Sequence, residues 1–85
     1  MMAYQIAIKK SAIKSLAKIP EPYFSTLKSA FLSLADTPRP NGCKKLKGRE
    51  AYRIRVADYR VIYEITDKIL LIEVIAIGHR KDIYE

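Results

Sequence analysis

The sequence predicts an α+β fold in which two N-terminal helices pack on one face of a small antiparallel β-sheet, in the order β-α-α-β-β-β. Three observations predict it. In the first half of the chain the apolar residues recur at a period near 3.6, and after residue 49 the period is 2. The two regimes meet at a segment rich in Pro, Gly and Lys, 36–49, which reads as a loop. A chain of 85 residues can bury one core but not two, so residues 1–85 are expected to form one domain.

The elements follow in order. Tyr4-Gln5-Ile6-Ala7-Ile8 alternates as a short strand does, with Tyr4, Ile6 and Ile8 toward the core. Ser11 is placed to cap a helix running to about Ile19, whose apolar stripe is Ala12, Ile13, Leu16 and Ala17 and whose wet side carries Lys10, Lys14 and Lys18. Pro20-Glu21-Pro22 stops it. Pro22 suits the first turn of a second helix, in which Phe24, Leu27, Phe31 and Leu34 recur at helical spacing. Beyond the loop, Tyr52, Ile54 and Val56 point one way while Arg53 and Arg55 point the other. A tight turn at Ala57-Asp58 leads into Tyr59, Val61, Tyr63 and Ile65, which alternate with Arg60, Ile62 and Glu64. If the Tyr and β-branched faces pack on the helices, Arg53, Arg55 and Arg60 share the opposite face. On that parity Tyr52, Tyr59 and Tyr63 are core residues rather than platforms for stacking bases. After a turn at Thr66-Asp67-Lys68, the run 69–77 is apolar on nearly both faces, as in a strand in the middle of a sheet, and it ends at Gly78.

Lys and Arg number 16 against 9 Asp and Glu, a formal net charge of +7 that suits a polyanion or an acidic partner. Half of the cations lie in 39–60, at Arg39, Lys44, Lys45, Lys47, Arg49, Arg53, Arg55 and Arg60, opposed there only by Glu50 and Asp58. No apolar stretch is long enough to cross a bilayer, and the N-terminus has no secretory pattern, so a cytoplasmic location is expected. With one Cys, Cys43, and one His, His79, neither an internal disulfide nor a zinc-binding set is expected. A Gly-rich phosphate loop, paired catalytic carboxylates and a Ser/His/Asp set are also missing from the sequence, and no cofactor is expected.

Arg53, Arg55 and Arg60, joined by Arg80 from the end of a neighbouring strand, would make a pocket of fixed guanidinium groups. Arg suits phosphate because its planar fork donates paired hydrogen bonds and keeps its charge in any environment. It also suits phosphodiester cleavage, where charge grows on the non-bridging oxygens. The plainer alternative is that Arg53 and Arg55 are the solvated face of a half-exposed strand. His79 is a candidate for proton transfer because an imidazole titrates near neutrality, and it serves equally well as a packing residue at a strand end. Tyr84 could stack on a base or donate a proton, or simply pack near the end of the chain. Lys44, Lys45, Lys47 and Arg49 are read as RNA- or ribosome-binding residues of the loop.

Lys47-Gly48, the segment from Tyr52-Arg53-Ile54-Arg55 through Tyr59-Arg60-Val61-Ile62-Tyr63, and Gly78-His79-Arg80-Lys81-Asp82-Ile83-Tyr84 together resemble the RelE/ParE toxin superfamily of type II toxin–antitoxin systems. The RelE-type branch implies a ribosome-dependent endoribonuclease that cuts messenger RNA in the A site. There the ribose 2′-OH attacks the adjacent phosphorus, leaves a 2′,3′-cyclic phosphate and needs no metal. The resemblance also implies contacts with 16S rRNA and a cognate RelB-like antitoxin in a hetero-oligomeric complex. Carried over by position, Arg53 and Arg55 bind or activate the scissile nucleotide, and Arg60 stabilises the phosphorane-like transition state. Arg80 assists the 5′-oxygen leaving group, and Tyr84 stacks on or orients the base.

The sequence departs from the family pattern at the first two sites, where lysine is usual and arginine, effectively always protonated, cannot serve as a base. His79 is therefore expected to take an acid or base role, or else the reaction proceeds by charge stabilisation and ribosome-imposed geometry. Many family members continue into a C-terminal helix, and regulation by its displacement is not expected of a chain ending at Glu85. A ParE-like DNA gyrase poison and a non-catalytic RNA-binding module are the alternative readings. The Arg60, Arg80 and Tyr84 set favours the nuclease, since a gyrase binder has no need of it.

Overall fold

In the computed structural model, which describes residues 3–48 and 50–79, the chain forms β1 (Gln5–Ile8), α1 (Lys10–Ala17), α2 (Tyr23–Ser33), β2 (Lys44–Lys45), β3 (Ala51–Val56), β4 (Tyr59–Thr66) and β5 (Leu71–His79). A 3-10 turn at Asp67–Ile69 links β4 to β5. The strands make one sheet in the order β1-β5-β4-β3-β2. The apolar run expected in mid-sheet does lie between two neighbours, β1 and β4.

Helical spacing buries Ala12 and Leu16 of α1, Leu27 and Phe31 of α2, and Leu34 just beyond it. These pack on one sheet face against Tyr52, Ile54, Val61, Tyr63, Ile72, Val74 and Ile77, with Tyr4, Ile6 and Ile8 of the first strand at the margin. Each fully buried aliphatic side chain of this set contributes about 1.5–3 kcal/mol. The predicted layer of two helices on one sheet face is therefore observed, as is the core placement of Tyr52 and Tyr63.

Four details differ from the expectation. First, α1 begins at Lys10 with Lys9 at its N-cap, so Ser11 lies inside the first turn and caps nothing. Two residues of the expected stripe, Ile13 and Ala17, are exposed, because a helix of eight residues presents only a narrow seam to the sheet. Second, the N-terminus of α2 is served by Glu21, whose carboxylate accepts from the Ser25 N–H at 3.0 Å and the Ser25 hydroxyl at 2.8 Å. An anionic acceptor satisfies an orphan donor there and suits the positive end of the helix. Third, the loop contains a strand, β2, whose two residues pair antiparallel with β3. Fourth, β1 pairs in parallel with β5, Gln5 opposite Leu71 and Ile8 opposite Val74, so the sheet is antiparallel except at this edge.

The β4–β5 ladder slips by one residue. Ile62 opposes Ala76 while Tyr63 opposes Val74, which leaves Ile75 as the extra residue of a bulge. Ile75 and Ala76 consequently both turn to the face away from the helices. There they pack with Leu46, Ala51 and Ile62 in a second, smaller apolar cluster. Ile77 then returns to the main core.

Candidate phosphate-binding site

The face away from the helices carries the cations. In the β3–β4 hairpin Arg55 stands directly opposite Arg60, and in the β2–β3 ladder Lys44 stands directly opposite Arg53. Directly opposed side chains on one face lie about 4.5–5.5 Å apart at Cβ, and like charges so placed destabilise the pair. These four side chains, with Gly42, line a cavity of about 220 Å³. Gly42 has φ of +89°, a left-handed conformation that glycine adopts without strain and that turns the loop toward β2.

Arg55 donates from Nε to the Ala57 carbonyl at 3.1 Å, and its Nη2 lies 3.9 Å from the Asp58 carboxylate, a loose contact between exposed groups. Burial first, and the Arg60 charge second, lower the pKa of Arg53 from its ordinary value. A guanidinium remains charged under such a shift, so Arg53, Arg55 and Arg60 keep a positive potential over the cavity that favours an anion. Beside the cations on the same face lies the second apolar cluster, in which Leu46 and Ile62 are buried and Ile62 stands opposite Arg53. Apolar neighbours lower the local dielectric and strengthen the pull of such cations on an anion.

Arg39, part of the same basic segment, is used elsewhere. Its Nη2 lies 3.0 Å from Asp67, its Nε donates to the Tyr52 hydroxyl at 3.1 Å, and its guanidinium covers the Tyr52 ring at 5.1 Å. The Tyr4 hydroxyl donates to the same Asp67 at 2.7 Å, and the Tyr63 hydroxyl donates to the Pro38 carbonyl at 2.8 Å. Arg39 thus fastens the loop to the helix side of the sheet.

A family model for the ParE toxin of type II toxin–antitoxin systems, parDE, matches residues 6–84. The chain belongs to this toxin family. The mRNA interferase toxin RelE of Escherichia coli is 28% identical over 83 residues, covering 94% of this chain and 86% of that one. The archaeal RelE–RelB complex from Pyrococcus horikoshii superposes with a TM-score of 0.81 at 26% identity, covering 96% of this chain and 100% of that one. The intact E. coli RelBE toxin–antitoxin complex gives 0.79 at 26% identity, with 91% and 96% covered. The protein is thus a RelE-like toxin of a type II toxin–antitoxin system.

Of the residues singled out from the sequence, the toxin fold brings Arg53, Arg55, Arg60 and Lys44 together. Lys45, one residue on, stands opposite Tyr52 and pairs with Glu50 at 2.9 Å. Lys47 is exposed in the turn that follows. Arg49, Arg80 and Tyr84 lie outside the described residues.

His79 is not brought to the arginines. It stands opposite Tyr59 in the ladder, with its ring edge-on to the Tyr59 ring at 5.7 Å, and Tyr59 packs on Tyr23 at 5.5 Å on the helix side. Plain alternation from the buried Val74 would have placed residue 79 on the arginine face. The extra residue Ile75 reverses that parity and sets Gly78 opposite Arg60 instead. His79 lines a second and larger hollow, of about 560 Å³, with Ser11 of α1, Lys18 and Ile19 just beyond it, and the last residues of β5. That hollow is the larger of the two, but its walls are mostly aliphatic and it lacks converging cations. The smaller one has the converging cations.

Proposed function

We propose that this toxin is a ribosome-dependent endoribonuclease that cuts messenger RNA in the A site by 2′-OH attack, so that translation stops. The observation that carries the reading is the cavity lined by three guanidinium groups and one ammonium group, with two like-charged pairs set directly across strands. A phosphodiester offsets that repulsion, and its transition state, with more negative charge on the non-bridging oxygens, offsets it further. Arg53 and Arg55 hold the scissile phosphate, and Arg60 meets the charge that develops on it. Arg80 assists the departing 5′-oxygen, and Tyr84 stacks on the base. His79 buttresses Tyr59 at the end of β5, so His79→Gln is expected to leave cleavage within a few fold of wild type.

The relatives named for RelE and crystallised with RelB support two further parts of this reading. A cognate RelB-like antitoxin restrains the toxin, with acidic and apolar residues that complement a +7 surface. The toxin works in the cytoplasm, where translating ribosomes are. Among the described residues no helix is long and apolar enough to cross a membrane.

The match to the ParE family model favours one other reading, a poison of DNA gyrase. A single experiment separates them. A defined mRNA is translated in vitro with the protein present, and new 5′ ends are mapped by primer extension. Codon-positioned cuts that require ribosomes are expected. Gyrase cleavage complexes without RNA cuts would establish the other reading, and salt-sensitive binding to intact RNA would leave a non-catalytic module.

A further inference from the structure

We infer that Lys44 is the proton acceptor of this site. The inference rests on the nuclease reading above and names the group that reading leaves open. Cleavage by 2′-OH attack needs a base for the hydroxyl proton, and three of the four cationic side chains in the cavity are guanidiniums that do not give up a proton. His79 stands on the other face of the sheet, against Tyr59. Among the described residues lining the cavity, Lys44 alone has a side chain that exists in a neutral form with a free lone pair.

Its position is built by the backbone. The two-residue ladder places Lys44 opposite Arg53, and strand alternation sends Lys45 to the opposite face, beside Tyr52 and paired with Glu50. Leu46, buried in the second apolar cluster and hydrogen-bonded through its N–H to the Ala51 carbonyl at 2.8 Å, pins β2 from the following residue. Among the described residues, the charged groups that share the cavity are Arg53 and Arg55 of β3 and Arg60 of β4, with the Asp58 carboxylate touching Arg55. The step balances without a co-reactant: the 2′-O–H proton passes to Lys44 Nζ, the 2′-oxygen bonds to phosphorus, and the P–O5′ bond breaks. The 5′-oxygen then takes a proton from solvent or a neighbouring donor.

An amine acts as a base only in the fraction that has lost its proton, so the rate climbs with pH until that fraction is complete. The test is single-turnover cleavage on ribosomes programmed with a defined mRNA, from about pH 6 to pH 9, for wild type, Lys44→Arg and Lys44→Ala. Lys44→Arg keeps the charge but cannot accept the proton. It is expected to bind ribosomes as wild type does, to cut about 10²–10⁴-fold more slowly, and to lose the Lys44-dependent climb. Lys44→Ala is expected to regain rate when ethylamine is added, more so at higher pH. A Lys44→Arg protein that cuts within about threefold of wild type with the same pH slope overturns the inference, as does a slow Lys44→Ala that no amine rescues. A wild-type protein that leaves mRNA intact overturns the nuclease reading itself, an outcome the variants are not needed to recognise.

Discussion

At Asp67 three residues distant in sequence converge, since its carboxylate accepts from both Arg39 and Tyr4. The hydrogen bond from Arg39, and then that from Tyr4, hold its pKa below the ordinary 3.8. The folded state therefore binds the proton less readily than the unfolded chain. The stabilisation is complete above the ordinary aspartate range and is lost as pH falls through the depressed native value. Tyr4 runs the other way, with its pKa raised chiefly by the hydrogen bond to Asp67, so its share is lost as pH rises through the raised value. Asp67→Asn is expected to flatten the acid limb of stability against pH while leaving mRNA cleavage intact, as urea titrations between pH 2 and pH 7 would show. Neither role was legible in the sequence. Arg39 sits in a run of cations, and nothing local to it points to a carboxylate 28 positions further on.

At the scale of elements, hydrophobic period was a good guide wherever the chain stayed in register. It placed Leu27, Phe31 and Leu34 inside, and it put Arg53, Arg55 and Arg60 on one face, as observed. In the sheet it failed at two places, because alternation counts residues and not hydrogen bonds, and because a very short strand leaves nothing to count. The bulge at Ile75 adds a residue without adding a ladder step, so His79 falls on the helix side. A strand as short as β2 shows no alternation to count, so Lys44 and Lys45 looked equivalent although they face opposite ways. The second apolar cluster beside the cations is a product of the same two features. Leu46→Ala is expected to cost about 2 kcal/mol, the low end for a buried leucine because the cluster is small, and to weaken RNA cleavage as β2 loosens. Urea unfolding beside the cleavage assay would separate that loss from a Lys44 substitution, which is expected to leave stability nearly unchanged.

For the molecule as a whole, the excess of seven positive charges predicts that binding to RNA depends on salt. If the four cations of the cavity neutralise phosphates of a single strand, log affinity falls with log salt at a slope of about −3, and each alanine substitution at Arg53, Arg55 or Arg60 reduces the slope by about 0.7. Fluorescence anisotropy of a short labelled RNA over a range of salt concentrations would show it. A slope unmoved by these substitutions would place the binding elsewhere.

The parallel pairing of β1 with β5 also has a consequence in time. Gln5 meets Leu71, so the first strand made waits for β5, the last of the described strands, several seconds later at ordinary rates of synthesis. In the meantime β1 has no neighbour, and the helices lack Ile72, Val74 and Ile77 to pack against. A nascent chain stopped before Leu71 lacks the strand that joins β1 to β4. The cations of the hairpin are translated well before there is a folded body to hold them in place. The pocket is therefore held in its final shape only after β5 has been made and has joined the two edges of the sheet.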